Sequence, residues 1–163
     1  MKVIWAPWRM EYILSGQKES KCIFCPGDDR GTDAARLILY VGSRSLVMMN
    51  RFPYINGHLL VAPVRHVPDL HSLTEEETLD LLLLVQRSIE ALKRTMNPEG
   101  FNVGLNIGRV AGAGVEDHLH FHIVPRWDGD TNFMPIIAGT KVVSESLQAS
   151  YQKISAEFKK LFK

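Results

Sequence analysis

Three histidines recur at alternate positions, His118, His120 and His122, in the run His-Leu-His-Phe-His-Ile-Val-Pro. That run holds half of the chain's 6 histidines. Neutral imidazole near pH 7 can act as a nucleophile, a proton donor or a metal ligand. The alternation of polar and apolar residues has the period of a half-buried strand. It puts the three imidazoles on one face and turns Leu119, Phe121 and Ile123 into a core. Pro125, which has no ladder N–H to give, is expected to end the strand. Residues i and i+2 lie roughly 6.6 to 7 Å apart, so neighbouring imidazoles can reach one phosphate group.

The segment ahead of the histidines, Asn106-Ile-Gly108-Arg-Val-Ala-Gly112-Ala113-Gly114, is rich in glycine. Such a loop lets the backbone approach a ligand closely, and successive N–H groups can form an anion-binding nest. A phosphate held there would lie beside the imidazoles. An imidazole nitrogen attacking phosphorus would form a phosphoramidate and split one displacement into two. His120, with a partner on each side, is the candidate nucleophile, and its neighbours would stabilise developing charge. A His-x-His pair also serves in zinc sites, so the triad alone leaves phosphate chemistry and metal binding open. The glycine loop tilts the reading toward phosphate, although it fits neither the dinucleotide nor the P-loop pattern.

The 2 cysteines stand together as Cys22-Ile-Phe-Cys25. Pro26-Gly27-Asp28-Asp29 follows, which is turn chemistry and does not open a helix as a thioredoxin-type motif would. Metal is therefore favoured over redox. Two cysteines cannot complete a tetrahedral site, so two further ligands must come from elsewhere.

At 163 residues the chain reads as one domain, 1–163, with 45% hydrophobic and 23% charged residues. A net charge of +1 argues against binding nucleic-acid polymers and leaves room for a local anion site. The longest strongly apolar stretch, Leu81–Val85, is far too short to span a membrane. The beginning, Met-Lys-Val-Ile-Trp-Ala-Pro7, has no long apolar region. A cytoplasmic protein without membrane association is expected.

The elements that must carry these residues follow from periodicity and turn signals. Residues 1–35 read as irregular, anchored by Trp5, Trp8 and Tyr12, with a loop over Cys25–Ala34. Arg36–Val41 and Leu46–Met49 read as a hairpin joined at Gly42-Ser43. His58–Ala62 is a strand stopped by Pro63. Thr74 with Glu77 is a capping box, and Leu82, Val85, Ile89 and Leu92 form one apolar stripe of a long helix that stops at Asn97-Pro98. Phe101–Asn106 is a strand. Residues 144–162 form a second helix with Leu147, Tyr151, Ile154 and Phe158 on one face. The expected fold is α+β on an antiparallel sheet.

The His118–Pro125 pattern resembles the signature of the histidine-triad (HIT) superfamily. The likeness extends over roughly residues 20–127. It takes in Cys22-Ile-Phe-Cys25, Asn50-Arg-Phe-Pro-Tyr-Ile-Asn-Gly57-His58, Pro63-Val-Arg-His66-Val and the glycine loop. Asn50 and Gly57-His58 are similar to the fragile-histidine-triad branch. The flanks Trp5-Ala-Pro-Trp8-Arg-Met-Glu-Tyr12-Ile and Pro125-Arg-Trp127-Asp-Gly-Asp130-Thr-Asn132-Phe133 resemble bacterial diadenosine tetraphosphate phosphorylases.

This resemblance implies a HIT-like sheet of about five antiparallel strands with a long helix and a C-terminal helix, paired into a homodimer. It implies nucleotidyl transfer on adenine nucleotides through a nucleotidyl-histidine at His120. His122 would contact phosphate and assist the leaving group, and His118 would complete the triad. Asn106, Gly112, Ala113 and Gly114 would hold phosphates. Asn50 would meet the ribose, unless it only caps its turn. His58 would orient its neighbours or pack in a loop. The resemblance also implies a structural zinc ion held by Cys22, Cys25, His66 and His118, with His71 the rival to His66. Many hydrolase-type members carry Gln four residues before the first histidine. Gly114 stands there in this chain, which leaves room for inorganic phosphate as co-substrate. Phosphorolysis of a dinucleoside polyphosphate such as diadenosine tetraphosphate is thus the leading expectation. Its alternatives are hydrolysis of such compounds or of nucleoside phosphoramidates, a nucleotide-binding regulatory protein with little turnover, and a metalloenzyme using the triad itself.

Overall fold

The computed structural model describes residues 22–130 and 145–162. Trp5, Trp8, Tyr12, Asn132 and Phe133, to which the sequence assigns anchoring or family roles, lie outside the described residues. Five antiparallel strands form one sheet: β1 (Ile38–Val41), β2 (Ser45–Met49), β3 (Leu59–Pro63), β4 (Gly100–Leu105) and β5 (Phe121–Arg126), in the order β1-β2-β3-β5-β4. A helical turn α1 (Asp33–Arg36), the long helix α2 (Glu75–Met96) and the C-terminal helix α3 (Leu147–Leu161) complete the fold. The α+β architecture expected from sequence is the one observed.

Both central strands, β2 and β3, are buried along their whole length. Neither therefore shows the alternation of a half-exposed strand, because each face of the sheet is covered. On one face Val47, Met49, Leu59, Val61 and Ile123 pack with Leu81, Leu84 and Leu92 of α2 and with Ile154 and Phe158 of α3. On the other face Leu46, Met48, Leu60 and Ala62 pack with Ile38 and with Phe24 of the Cys-x-x-Cys segment. The helices thus occupy one side and leave the other to the cysteines and histidines.

The helix boundaries follow local chemistry. Thr74 accepts from the Glu77 amide while the Glu77 carboxylate accepts from the Thr74 amide, closing the capping box. Ser146 caps α3 by accepting from the Ala149 amide. At the other end of α2, Asn97 adopts the left-handed conformation, φ 47°, that ends a helix.

Several expectations need correction, the first being the loop over Cys25–Ala34, which holds a 3₁₀ turn, Arg30–Thr32, and the start of α1. Arg36 belongs to a helical turn and not to a strand. Leu37 reverses the chain at φ 62°, and Arg36 thereby reaches back to the carbonyls of Ile23 and Cys25 at 2.9 and 2.8 Å. Leu82 is 47% exposed, and the stripe of α2 that meets the sheet is Leu81, Leu84, Val85, Ser88, Ala91 and Leu92. Four consecutive leucines, 81–84, give the helix apolar residues on most sides, so periodicity could not pick the face. Pro125 does not end β5, which continues to Arg126. β3 pairs with β5 only over Phe121–Ile123, so beyond that point β5 has a neighbour on one side, where proline is tolerated. Finally, β5 begins at Phe121, so His118 and His120 precede the strand. The Leu119 amide donates to the Val67 carbonyl at 2.7 Å, which holds that lead-in segment against the chain running on from β3.

Among the described residues no helix is long and apolar enough to cross a membrane.

Candidate active site and metal centre

His122 sits near the start of β5, flanked by Leu60 on β3 and Gly104 on β4. Its protonation follows from a chain of contacts with a main-chain origin. The Tyr54 amide donates to His58 Nδ1 at 3.1 Å, so that nitrogen is an acceptor and His58 carries its proton on Nε2. His58 Nε2–H then donates to His122 Nδ1 at 2.9 Å. His122 is consequently left with its proton on Nε2. That atom is buried and has no hydrogen-bond partner among the described residues. An unpaired buried donor is costly unless a ligand meets it.

His120 is fixed in the opposite tautomer. Its Nδ1 lies 2.8 Å from the carbonyl of His118, which can only accept. The proton is therefore on Nδ1, and Nε2 carries the free lone pair. The ring is 5% exposed, stacks on Phe24 at 4.6 Å between centroids, and lies 5.0 Å from the His122 ring. A bare nitrogen beside an N–H donor suits attack on a centre whose oxygens need a hydrogen bond.

His118 lies elsewhere. Its Nε2–H donates to the Pro63 carbonyl at 2.8 Å, which leaves Nδ1 as a lone pair. Nδ1 faces Cys22 Sγ at 3.3 Å, His66 Nδ1 at 3.1 Å and Cys25 Sγ at 3.8 Å. Cys25 Sγ is 3.4 Å from His66 Nδ1. The geometry thus separates the triad: His118 sits among the cysteines and His66, His120 stacks on Phe24, and His122 faces a cavity beside β4, because a strand period cannot register partners as distant as the Cys-x-x-Cys.

The four donor atoms of Cys22, Cys25, His66 and His118 all lie within 4.8 Å of one another and could hold a metal ion. A tetrahedral ion with bonds of about 2.3 Å to sulfur and about 2.0 Å to nitrogen would space its ligands roughly 3.3 to 3.8 Å apart, close to what is seen. Burial, and then the Cys22 sulfur beside it, push the Cys25 thiol upward, with Arg36 pulling the other way. Paired thiolates become favourable here when a cation sits between the sulfurs. The Pro63 carbonyl plays the outer-shell part that fixes a ligating imidazole. His71, the rival ligand, lies in a 3₁₀ turn, Leu70–Ser72, and is not in the cluster.

A cavity of about 490 Å³ runs along β4 and β5 from His122 to Arg126, with Tyr54, Asn102, Gly104 and Asn106 on its walls. Asn106 is thus placed in the pocket. Asn50 and His58 stand behind His122. The Asn50 Oδ1 accepts from the Phe52 amide at 2.9 Å, and its Nδ2 lies 3.3 Å from His58 Nδ1. Asn50 therefore does cap its turn, and it also supports the histidine relay. In the glycine loop, Gly108 and Gly112 take φ 80° and 92°, which glycine alone adopts cheaply. The amides of Ala111 and Gly112 donate to the Gly108 and Arg109 carbonyls, and Ala113 more weakly to Gly108, so the loop spends these amides on its own 3₁₀ turn. Fewer remain for an anion than the composition suggests. Arg126 is tied to Asp130 at 2.5 and 2.8 Å and to Asn102 at 2.8 Å.

Sequence reasoning passed over Tyr54, Phe24 and Arg36. Tyr54 stacks on His58 at 4.8 Å, and its amide sets the relay. The signal available was an aromatic inside each motif, between Asn50 and His58 and between the cysteines.

Residues 32–129 match the family model described as HIT domain. The AP-4-A phosphorylase of Mycobacterium tuberculosis is 35% identical over 162 residues, covering 95% of this chain and 83% of that one. Adenosine 5'-monophosphoramidase hnt1 of Schizosaccharomyces pombe is 33% identical over 141 residues, covering 85% and 98%. The fold is similar to that of a crystallised Zn-bound histidine triad family protein from Mycobacterium smegmatis, with a TM-score of 0.66 and 23% identity over 88% of this chain and 96% of that one.

Burial is the main cause holding His122 neutral, with the charge of His120 second, and brings it down from 6.5 to about 4. Burial likewise lowers His118 to about 4 and lowers His120, the His118 carbonyl opposing the shift in His120. A folded value below the unfolded one means that the unfolded chain takes up the proton first, so stability is lost as the pH falls through this window. For His122 the loss between pH 6.5 and 4 is expected to reach about 3 kcal/mol. Urea denaturation from pH 7 to 4 measures it, and His122→Asn should flatten the acid limb. An equally steep limb in that variant would contradict the assignment.

Proposed function

The chain belongs to the HIT domain family, and on that footing we propose that it cleaves dinucleoside polyphosphates by nucleotidyl transfer through His120. One observation carries the reading: the ring of His120, its Nε2 bare, lies 5.0 Å from that of His122, whose buried Nε2–H has no partner among the described residues. Names of similar proteins support the substrate class, since an AP-4-A phosphorylase and a bis(5'-adenosyl)-triphosphatase are among them.

In the first step His120 Nε2 attacks the α-phosphorus of an adenine nucleotide. A P–N bond forms, and the P–O bond to the remaining polyphosphate breaks, with its electron pair going to the leaving oxygen. His120 becomes cationic as it bonds, and the His118 carbonyl opposite Nδ1–H stabilises that charge. His122 Nε2–H donates to the phosphoryl or leaving oxygen, where negative charge develops. Asn106 and the backbone of Gly112, Ala113 and Gly114 hold the phosphates, and Asn50 meets the ribose. In the second step an oxygen of inorganic phosphate attacks phosphorus and the P–N bond breaks. With diadenosine tetraphosphate the first step releases adenosine triphosphate and the second yields adenosine diphosphate. Gly114, standing where hydrolase-type members carry Gln, favours phosphate over water as acceptor.

Cys22, Cys25, His66 and His118 would hold zinc in this reading. Four protein ligands would close its sphere, so it would anchor the segment ahead of β5 and leave no open position for catalysis. The protein works in the cytoplasm as a homodimer. The edge strand β4 and the exposed leucines 79, 82 and 83 of α2 are surfaces that a second copy would cover.

Three outcomes test these statements. Product analysis with diadenosine tetraphosphate should give adenosine diphosphate plus triphosphate only when inorganic phosphate is present, while His120→Ala should lose more than about 10³-fold in rate and trap no adduct. Wild-type turnover by that variant would end the mechanism. Metal analysis should find one zinc per chain, and Cys25→Ser should weaken zinc binding by more than about 100-fold; undiminished affinity would remove the assigned ligand set. Light scattering should give twice the chain mass for the wild type and the chain mass for Leu82→Glu, and a wild-type monomer would refute the pairing.

A further inference from the structure

The sequence between the two cysteines does more than space them. Phe24 is 1% exposed, and it lies flat against His120, 4.6 Å between ring centroids and 27° between planes. It also touches the His118 ring at 5.3 Å. Three contacts keep it still. Cys25 N–H donates to the Cys22 carbonyl at 3.2 Å, closing the turn around it. Arg36 donates to the carbonyls of Ile23 and Cys25, on either side of it. Its ring is embedded with Ile38, Leu46, Met48, Leu60 and Ala62.

His120 is tied at one point, Nδ1, to the His118 carbonyl. That bond and the Cβ–Cγ axis locate the ring, but a hydrogen bond weakens steeply only at large misalignment and so tolerates a tilt of tens of degrees about that axis. Attack on phosphorus needs the lone pair of Nε2 aligned in line with the leaving oxygen, and an error of about 1 Å in such an arrangement can cost about 100-fold. A second contact must narrow that tilt, and the ring stacked face to face on His120 is Phe24, whereas His122 meets it tilted at 57°.

We propose that Phe24 is a positioning residue for the nucleophile: wedged in the Cys-x-x-Cys turn, it holds the plane of the His120 imidazole so that Nε2 faces the phosphorus. The proposal rests on the reading of His120 as nucleophile. It also makes the cysteine turn a support of the reaction centre. The stacked Phe24 ring and the His118 carbonyl, which hold one face and one atom of His120, belong to residues in or beside the four-residue donor cluster.

Phe24→Leu keeps a buried apolar side chain and removes the flat ring. With zinc supplied in excess, the variant should bind zinc like the wild type. Its kcat should fall by about 10- to 100-fold while KM changes less than about 2-fold, because alignment and not binding is lost. Nitrogen-15 NMR of the side chains should show His120 of the wild type as a single Nδ1–H tautomer and that of the variant as a mixture. Retained kcat together with an unchanged His120 signal would overturn the proposal. Phe24→Met repeats the measurement if the leucine variant does not fold. The NMR readout needs no turnover: a wild type inert toward diadenosine tetraphosphate defeats the functional reading, and the His120 signal still decides the role of Phe24.

Discussion

A buried neutral imidazole has one proton to place, and in this protein the main chain places it. The Pro63 carbonyl takes the proton of His118 on Nε2, the His118 carbonyl takes that of His120 on Nδ1, and the Tyr54 amide, acting through His58, leaves that of His122 on Nε2. Each assignment gives the ring one function. His118 keeps a lone pair on the side of the cysteines, His120 keeps one on Nε2, and His122 keeps a hydrogen there. Side chains of one type, two residues apart, thus end up with three different chemistries. Low effective dielectric around them makes each hydrogen bond matter more and each unpaired atom more costly.

The sheet makes this possible by separating stability from chemistry. One face gives its apolar side chains to α2 and α3. The other face gives part of its area to Phe24 and its neighbours and leaves β4 and β5 to line the cavity. A site on rigid strands holds its groups more closely than one on loops. The parts that remain loops here are braced: the Asn50–His58 connection and the glycine turn by Asx and 3₁₀ hydrogen bonds, and the lead-in that carries His118 and His120 by the Leu119 amide on the Val67 carbonyl.

Much of the site is legible in the amino-acid sequence. The Cys22, Cys25, His66 and His118 set comes from family resemblance, and the fold gathers the same four donor atoms. The fold class, the α2 cap and the C-terminal helix follow from local rules that need only a few neighbouring residues. Sequence misleads where the deciding contact is remote. Leu82 looks like core because four leucines in succession hide the helix face. Pro125 looks like a stop because only the sheet order reveals that one side of β5 is free there. The role of Phe24 is invisible in a motif read for its cysteines.

The amino-acid sequence by itself determined the fold class, the order of the main helices and strands and which family the chain resembles, because these depend on residue type and short-range spacing. Only the tertiary structure decided that His122 lines the cavity while His120 lies stacked on Phe24, and which nitrogen of each ring holds the proton. Those outcomes rest on carbonyls, amides and sulfurs brought together from up to 96 residues away. The alternation of period two carries no information about such partners.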